Sequence, residues 1–254
     1  TPKEYADLVR ENQTDKDDTL VFLYADDAVD NMSFIESAKA KGYDVLLMNG
    51  QLDSHYINWY ENKNDKCSFV RVDSDVVDKL IRKSDSQTMS LTAAQQDIMR
   101  PVFESQMPVD EKINYTVAFE AMDANDAPVV ITQNEYMRRM KEMAAVSGGG
   151  MSQFYSQMPD SFTIAVNGNH PIVLDLLDKV EKEYGDKLRT MTKKIDAATA
   201  EQNRFAELIK DKKEADLTDE EKSMRTELNE KLSSLLEERN TRLREIGAAN
   251  NRVR

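Results

Sequence analysis

A chain of 254 residues with 47 Asp and Glu against 34 Lys and Arg has a formal net charge of −13, and the length favours two compact units over one. No apolar run reaches the roughly 18 residues of a membrane span, and the lone Cys67 excludes an internal disulfide and suits a reducing compartment. From Pro171 to Arg254, 19 acidic residues oppose 18 basic ones, so −12 of the charge falls in the first 170 residues, a field that repels nucleic acid and anionic membrane alike.

The chain opens on a capping box, with Thr1 as N-cap, Pro2 at the first helical position and Glu4 reaching back. Leu20 to Tyr24 is a short continuous apolar run, the pattern of a strand buried on both faces, and Val45 to Met48 repeats it. Between them a helix is expected from Asn31 to Lys41, ended by Gly42. Asp53 is expected to cap a helix through Trp59, and Ser68 to Val72 to form a third strand. Helices alternating with buried strands imply a small three-layer α/β/α unit with a short parallel sheet.

The polar stretch Arg82 to Ser90 places a boundary between residues 1–84 and 85–254. Beyond it the pattern predicts a helix from Leu91 to Gln106, interrupted near Pro101, strands at 113–122, 129–131 and 162–166, and an amphipathic helix from Thr132 to Val146. From Asp186 the spacing becomes heptad-like: Leu188, Ile195, Gln202 and Ile209 recur every seventh residue, interleaved with Met191, Ala198 and Phe205. A charged break at 210–216 and a second capping box, Thr218 with Glu221, precede another apolar stripe from Met224 to Ile246, with Arg239 interrupting it. The fold class expected is α+β, its second domain a mixed α+β unit bearing a long antiparallel helical hairpin at 187–247.

Catalytic chemistry is not visible. His55 and His170 sit in no metal-ligand spacing, and Cys67, without a neighbouring cysteine, reads as an inert thiol. Ser147-Gly148-Gly149-Gly150 lacks the lysine of a phosphate loop and follows a helix instead of preceding one. Tyr24-Ala25-Asp26-Asp27 places two carboxylates where a nucleotide-binding turn needs glycine.

Asp44-Val45-Leu46-Leu47-Met48 followed by Leu52-Asp53, then Glu135-Tyr136-Met137-Arg138-Arg139-Met140-Lys141, then Val166-Asn167-Gly168-Asn169-His170-Pro171 together resemble the bacterial heat-shock-90 chaperone family of the HtpG type. The resemblance spans residues 1 to about 180 and resumes near Asn250, with 187–247 similar to an insertion found in some bacterial members. It implies a cytoplasmic, ATP-dependent chaperone that binds unfolded client proteins and works as a homodimer. It also implies that the ATP- and Mg-binding domain, most of the middle domain and the terminal dimerisation helices lie outside residues 1–254. On that footing these residues hold no cofactor, are not themselves an enzyme, and dimerise weakly or not at all.

Candidate client contacts come from apolar side chains on adaptable segments. Tyr136, Met137, Met140, Met143 and Ala144 share one face of the amphipathic helix, while Arg138, Arg139, Lys141 and Glu142 share the other. A methionine stripe adapts to many apolar partners, although most such faces simply pack on their own core. Met151, Phe154, Tyr155 and Met158 follow in a Gly-rich stretch expected to lack regular structure, and Trp59 with Tyr56 forms an aromatic group that serves either domain packing or client contact. The rival reading is a coiled-coil adaptor acting through the hairpin.

Overall fold

The computed structural model describes residues 1–50, 52–83, 88–147, 150–210 and 212–249. In chain order these form α1 Pro2–Gln13, β1 Leu20–Ala25, α2 Met32–Ala40, β2 Val45–Leu47, α3 Asp53–Lys63, β3 Cys67–Arg71, α4 Val77–Leu80 and α5 Ala93–Glu104. Then follow β4 Ile113–Glu120, β5 Val129–Gln133, α6 Glu135–Ser147, α7 Gly150–Gln157, β6 Asp160–Asn167, α8 Pro171–Ile209 and α9 Asp219–Ala249. The fold is α+β, with two three-stranded sheets and a long helical hairpin.

Residues 1–91 and 108–173 make one compact unit, and 92–107 with 174–254 make another. The boundary expected at 84/85 falls within 84–87, outside the described residues.

In the first sheet, order β2-β1-β3, all pairs are parallel. All six residues of β1 are buried, as a central strand covered on both faces requires. Its alternate residues serve two cores. Leu20, Phe22 and Tyr24 join Ala6, Val9, Ile57 and Phe69 beneath α1 and α3, while Val21, Leu23 and Ala25 join Ala38, Val72, Leu80 and Ile81 beneath α2 and α4. Each large side chain so buried contributes about 1.5–3 kcal/mol before entropy is counted. The second apolar run behaves otherwise. β2 is an edge strand, half-buried at Val45 and Leu46 and exposed at Leu47, because a continuous apolar run does not distinguish an edge from a centre. The opening capping box forms as the sequence predicts; Asp53, by contrast, is the first residue of α3, its carboxylate accepting the Gly50 N–H at 2.8 Å.

The second sheet has order β4-β6-β5, with β6 parallel to β4 and antiparallel to β5. The last strand in sequence is therefore the central one, and α6 and α7 lie in the connection from β5 to β6. The segment after β6 is a local lock. Asn167 is fully buried, donating to Asp123 O (2.7 Å) and accepting the Asn169 N–H (3.0 Å), while Asn169 donates to Met122 O and Thr88 O. His170 Nδ1 accepts the Ile172 N–H at 3.1 Å, a structural role at the start of α8.

In the second unit α5 is capped by Thr92 and Gln95 and contains Pro101 without ending there. It packs on the C-terminal part of α9, where Leu243 and Ile246 are buried. The hairpin is longer than the expected 187–247: α8 runs unbroken from Pro171 and α9 continues to Ala249. Gln202 donates to Asn229 Oδ1 (2.6 Å) and Lys231 pairs with Glu201 (2.7 Å), which sets an antiparallel register. At the far end a 3₁₀ turn at Glu214–Asp216 precedes the Thr218–Glu221 capping box, and Arg225 grips Glu214 with two hydrogen bonds of 2.8 and 2.5 Å.

Candidate functional site

Charges on α6 recur at Glu135, Arg138, Arg139 and Glu142, three and four residues apart, so they share a face. It points inward, onto the first sheet and α3. Arg138 is 8% exposed; its Nη2 donates to Tyr24 Oη (2.6 Å) and Glu135 Oε1 (3.0 Å), and its Nη1 pairs with Glu142. Arg139 donates to Glu135 Oε1 (2.6 Å), Glu61 Oε2 (3.0 Å) and the Phe69 carbonyl (2.5 Å). Glu135 Oε1 also accepts from the Tyr24 hydroxyl (2.8 Å), and its Oε2 accepts the Arg71 N–H (3.1 Å). Beside this lattice the Arg71 guanidinium is held by Asp73, Asp26 and Gln133.

The electrostatics follow from the packing. Burial opposes the charge on Arg138 and Arg139, yet Glu135, with Glu142 and Glu61 respectively, outweighs it and leaves both guanidinium pKa values above their ordinary level. Burial, then the Glu135 charge, pushes Tyr24 up to about 12. Such a lattice fixes orientation. Breaking it by removing one partner would strand the others in a half-buried setting, at a cost of several kcal/mol.

With the charges turned inward, the larger apolar side chains of α6 stay only partly covered, although Ala144 is buried. Met137, Met140 and Met143 are half-buried, and Tyr136 is 68% exposed. Met143 Sδ accepts a hydrogen bond from Asn58 of α3 (3.0 Å), and Ser54 of α3 donates to Glu142 (2.7 Å), so α3 and α6 lie side by side. Sequence reasoning missed Ser54 and Asn58, although their four-residue spacing puts both on one face of α3.

The stretch after the glycines is a helix, α7, which corrects the expectation of irregular structure. Apolar residues at 151, 154, 155 and 158 have helical spacing, and that pattern outweighs the polar composition. Phe154 is 59% exposed and meets Tyr155 edge-on at 5.4 Å; Tyr155 and Met158 are half-buried, and the Met151 side chain lies outside the described residues. Lys141 ties α7 to α6 by donating to Met158 O and Asp160 Oδ1, both at 2.7 Å.

On α3, Trp59 is 54% exposed and Tyr56 also reaches solvent. Their rings lie 5.9 Å apart, Tyr60 continues the row, and the Lys63 ammonium sits 4.8 Å over the Trp59 ring. Elsewhere Cys67 is half-buried and its thiol is pushed up to about 11 by burial and by Glu61, which disfavours the reactive thiolate. Among the described residues no cluster of His, Cys, Asp and Glu has metal-binding geometry, and no helix is long and apolar enough to cross a membrane.

The model of the Hsp90 protein family matches residues 3–201. The chain is 40% identical over 235 residues to the chaperone protein HtpG of Bacteroides thetaiotaomicron, covering 92% of this chain and 34% of that protein. Over 241 residues it is 39% identical to HtpG of Bacteroides fragilis (95% and 35%), and over 210 residues 38% identical to HtpG of Porphyromonas gingivalis (83% and 30%). It spans about a third of the length of these curated relatives.

Proposed function

The chain belongs to the Hsp90 protein family, and from that premise we propose that residues 1–254 bind unfolded or partly folded client protein for a cytoplasmic chaperone, with no catalysis of their own. The observation that carries this reading is the orientation of α6. Its cations are spent on internal anchoring, while Tyr136 and the methionines on α6, with Phe154 on α7, stay wholly or partly open to solvent. Large apolar side chains left uncovered beside flexible thioethers suit partners of varied shape. Trp59 and Tyr56 on the neighbouring helix extend the apolar surface. In this reading ATP and Mg act in parts of the whole protein beyond these residues, and the helical unit supports homodimerisation of the whole, the 254-residue chain alone staying monomeric or weakly associated.

The test is a chain carrying Met137→Ser, Met140→Ser and Met143→Ser, beside one carrying Tyr136→Ser and Phe154→Ser. Each should weaken holding of an unfolded model substrate about tenfold, roughly 1.4 kcal/mol, while the thermal transition moves by no more than about 5 °C. Binding and thermal transition collapsing together would mean the stripe is core. Unchanged binding in both would sink the reading.

A further inference from the structure

We propose that a pocket in the layer formed by α1, β2 and α3 takes the cationic side chain of an arginine or lysine presented by an unfolded polypeptide; this names a client class and rests on the client-binding reading. The pocket is a cleft of about 430 Å³ walled by the rings of Tyr5, Phe22, Tyr56, Tyr60 and Phe69. Leu46, Leu47 and Met48, in and just after the edge strand, line another side. Aromatic faces carry negative quadrupole density, so they attract a cation while covering its methylene stem. The same aromatic row already does so once, through Lys63 over Trp59.

Polar groups on the wall point to the same ligand sign. Asp53 contributes a carboxylate that holds the Gly50 N–H but has no cationic partner among the described residues. Tyr5 Oη is buried, and burial, then the Asp44 carboxylate beside it, raises its pKa, so it stays a neutral hydroxyl whose oxygen can accept from an N–H donor. Residues 1–170, which include the whole lining of the cleft, carry −12 of the chain's net charge. An anionic group would meet the Asp53 carboxylate in that field, and a purely apolar group would leave that charge uncompensated and the Tyr5 oxygen without a donor. A guanidinium or ammonium on an apolar stem satisfies both.

The experiment uses the 254-residue chain and two unstructured apolar peptides that differ only in arginine against citrulline, which keeps the shape and removes the charge. Binding is read by calorimetry and by the emission of Trp59, the single tryptophan. The arginine peptide should bind at least about fivefold more tightly at low salt, with the gap narrowing at high salt. Asp53→Asn keeps an oxygen for the Gly50 amide and removes the charge; it should reduce the preference to less than about twofold. Tyr56→Leu should do the same and serves if Asp53→Asn fails to fold. Equal binding of the two peptides, or a preference that survives both substitutions, overturns the pocket. If the peptides bind equally but the methionine variants still release unfolded protein, the client reading stands and only this pocket falls. If neither peptide nor unfolded protein binds the parent chain, both fall.

Discussion

Glu135 is where four donors converge: Tyr24, Arg138 and Arg139 on one oxygen, the Arg71 amide on the other. Tyr24 is the titratable witness to that junction. Its folded pKa of about 12 lies above the unfolded value of roughly 10, so the stability tied to the neutral hydroxyl is complete below pH 10 and is lost as pH rises towards 12. The gap corresponds to about 2–3 kcal/mol. Tyr5, Tyr43, Tyr60 and Cys67 are raised as well and pull in the same direction, so the informative quantity is a difference between chains. Tyr24→Phe should cost about 1–3 kcal/mol at neutral pH, by taking an acceptor from Arg138, and should then lose less stability than the parent between pH 10 and 12. Urea unfolding at stepped pH measures both. Parallel curves would show that Tyr24 does not titrate there.

Two glycines separate packing from propensity at the scale of helices. Gly247 of α9 lies against the Val102 carbonyl and Ser105, where an added Cβ would press on backbone that cannot rotate away. Gly185 of α8 faces open space, its nearest neighbour being the Arg189 guanidinium at 3.9 Å. Gly247→Ala should therefore destabilise the second unit by about 1–3 kcal/mol, and Gly185→Ala should stabilise it by up to about 1 kcal/mol through helix propensity. Thermal melts of the pair decide it, since shifts of equal sign would place the α5–α9 contact elsewhere.

The same scale shows what the sequence could and could not reveal. The run at Leu20–Tyr24 and the two capping boxes are local signals, and each formed where the pattern put it, whereas along the hairpin Ile195, Ala198 and Leu228 are buried but Met224 is 46% exposed. The placing of β6 between β4 and β5 is a long-range choice that no local period encodes. The inward turn of the charged face of α6 was not legible, because amphipathic patterning alone does not say which face is covered. The spacing of Glu135, Arg138, Arg139 and Glu142 was a hint of self-neutralisation, but the partners that make burial tolerable, Tyr24, Glu61 and the Phe69 carbonyl, come from distant residues. Ser54 and Asn58 were hidden for the same reason.

At the scale of the whole chain, charge and apolar exposure divide unevenly. Residues 1–170 hold nearly all the net negative charge together with Trp59, Tyr136 and Phe154, whereas residues 171–254 are close to neutral and contain the hairpin. If client binding belongs to the first region, the distal hairpin is dispensable for it; if the chain is an adaptor, the hairpin is where binding resides. Removing all of 187–247 would not test this, because Leu243, Ile246 and Gly247 belong to the packing of α9 on α5. A better deletion takes 195–235 and closes the helices with a short Gly-rich turn, following the register set by Gln202 with Asn229 and Glu201 with Lys231. It loses the buried Ile195, Ala198 and Leu228 as a set, together with the stretches they face, so the stump keeps its own seam. Holding of an unfolded substrate should stay within about twofold of the parent chain, well under 1 kcal/mol. Loss of all binding with the unfolding transition of the remainder intact would transfer the function to the hairpin and leave the uncovered faces of α3, α6 and α7 without a client.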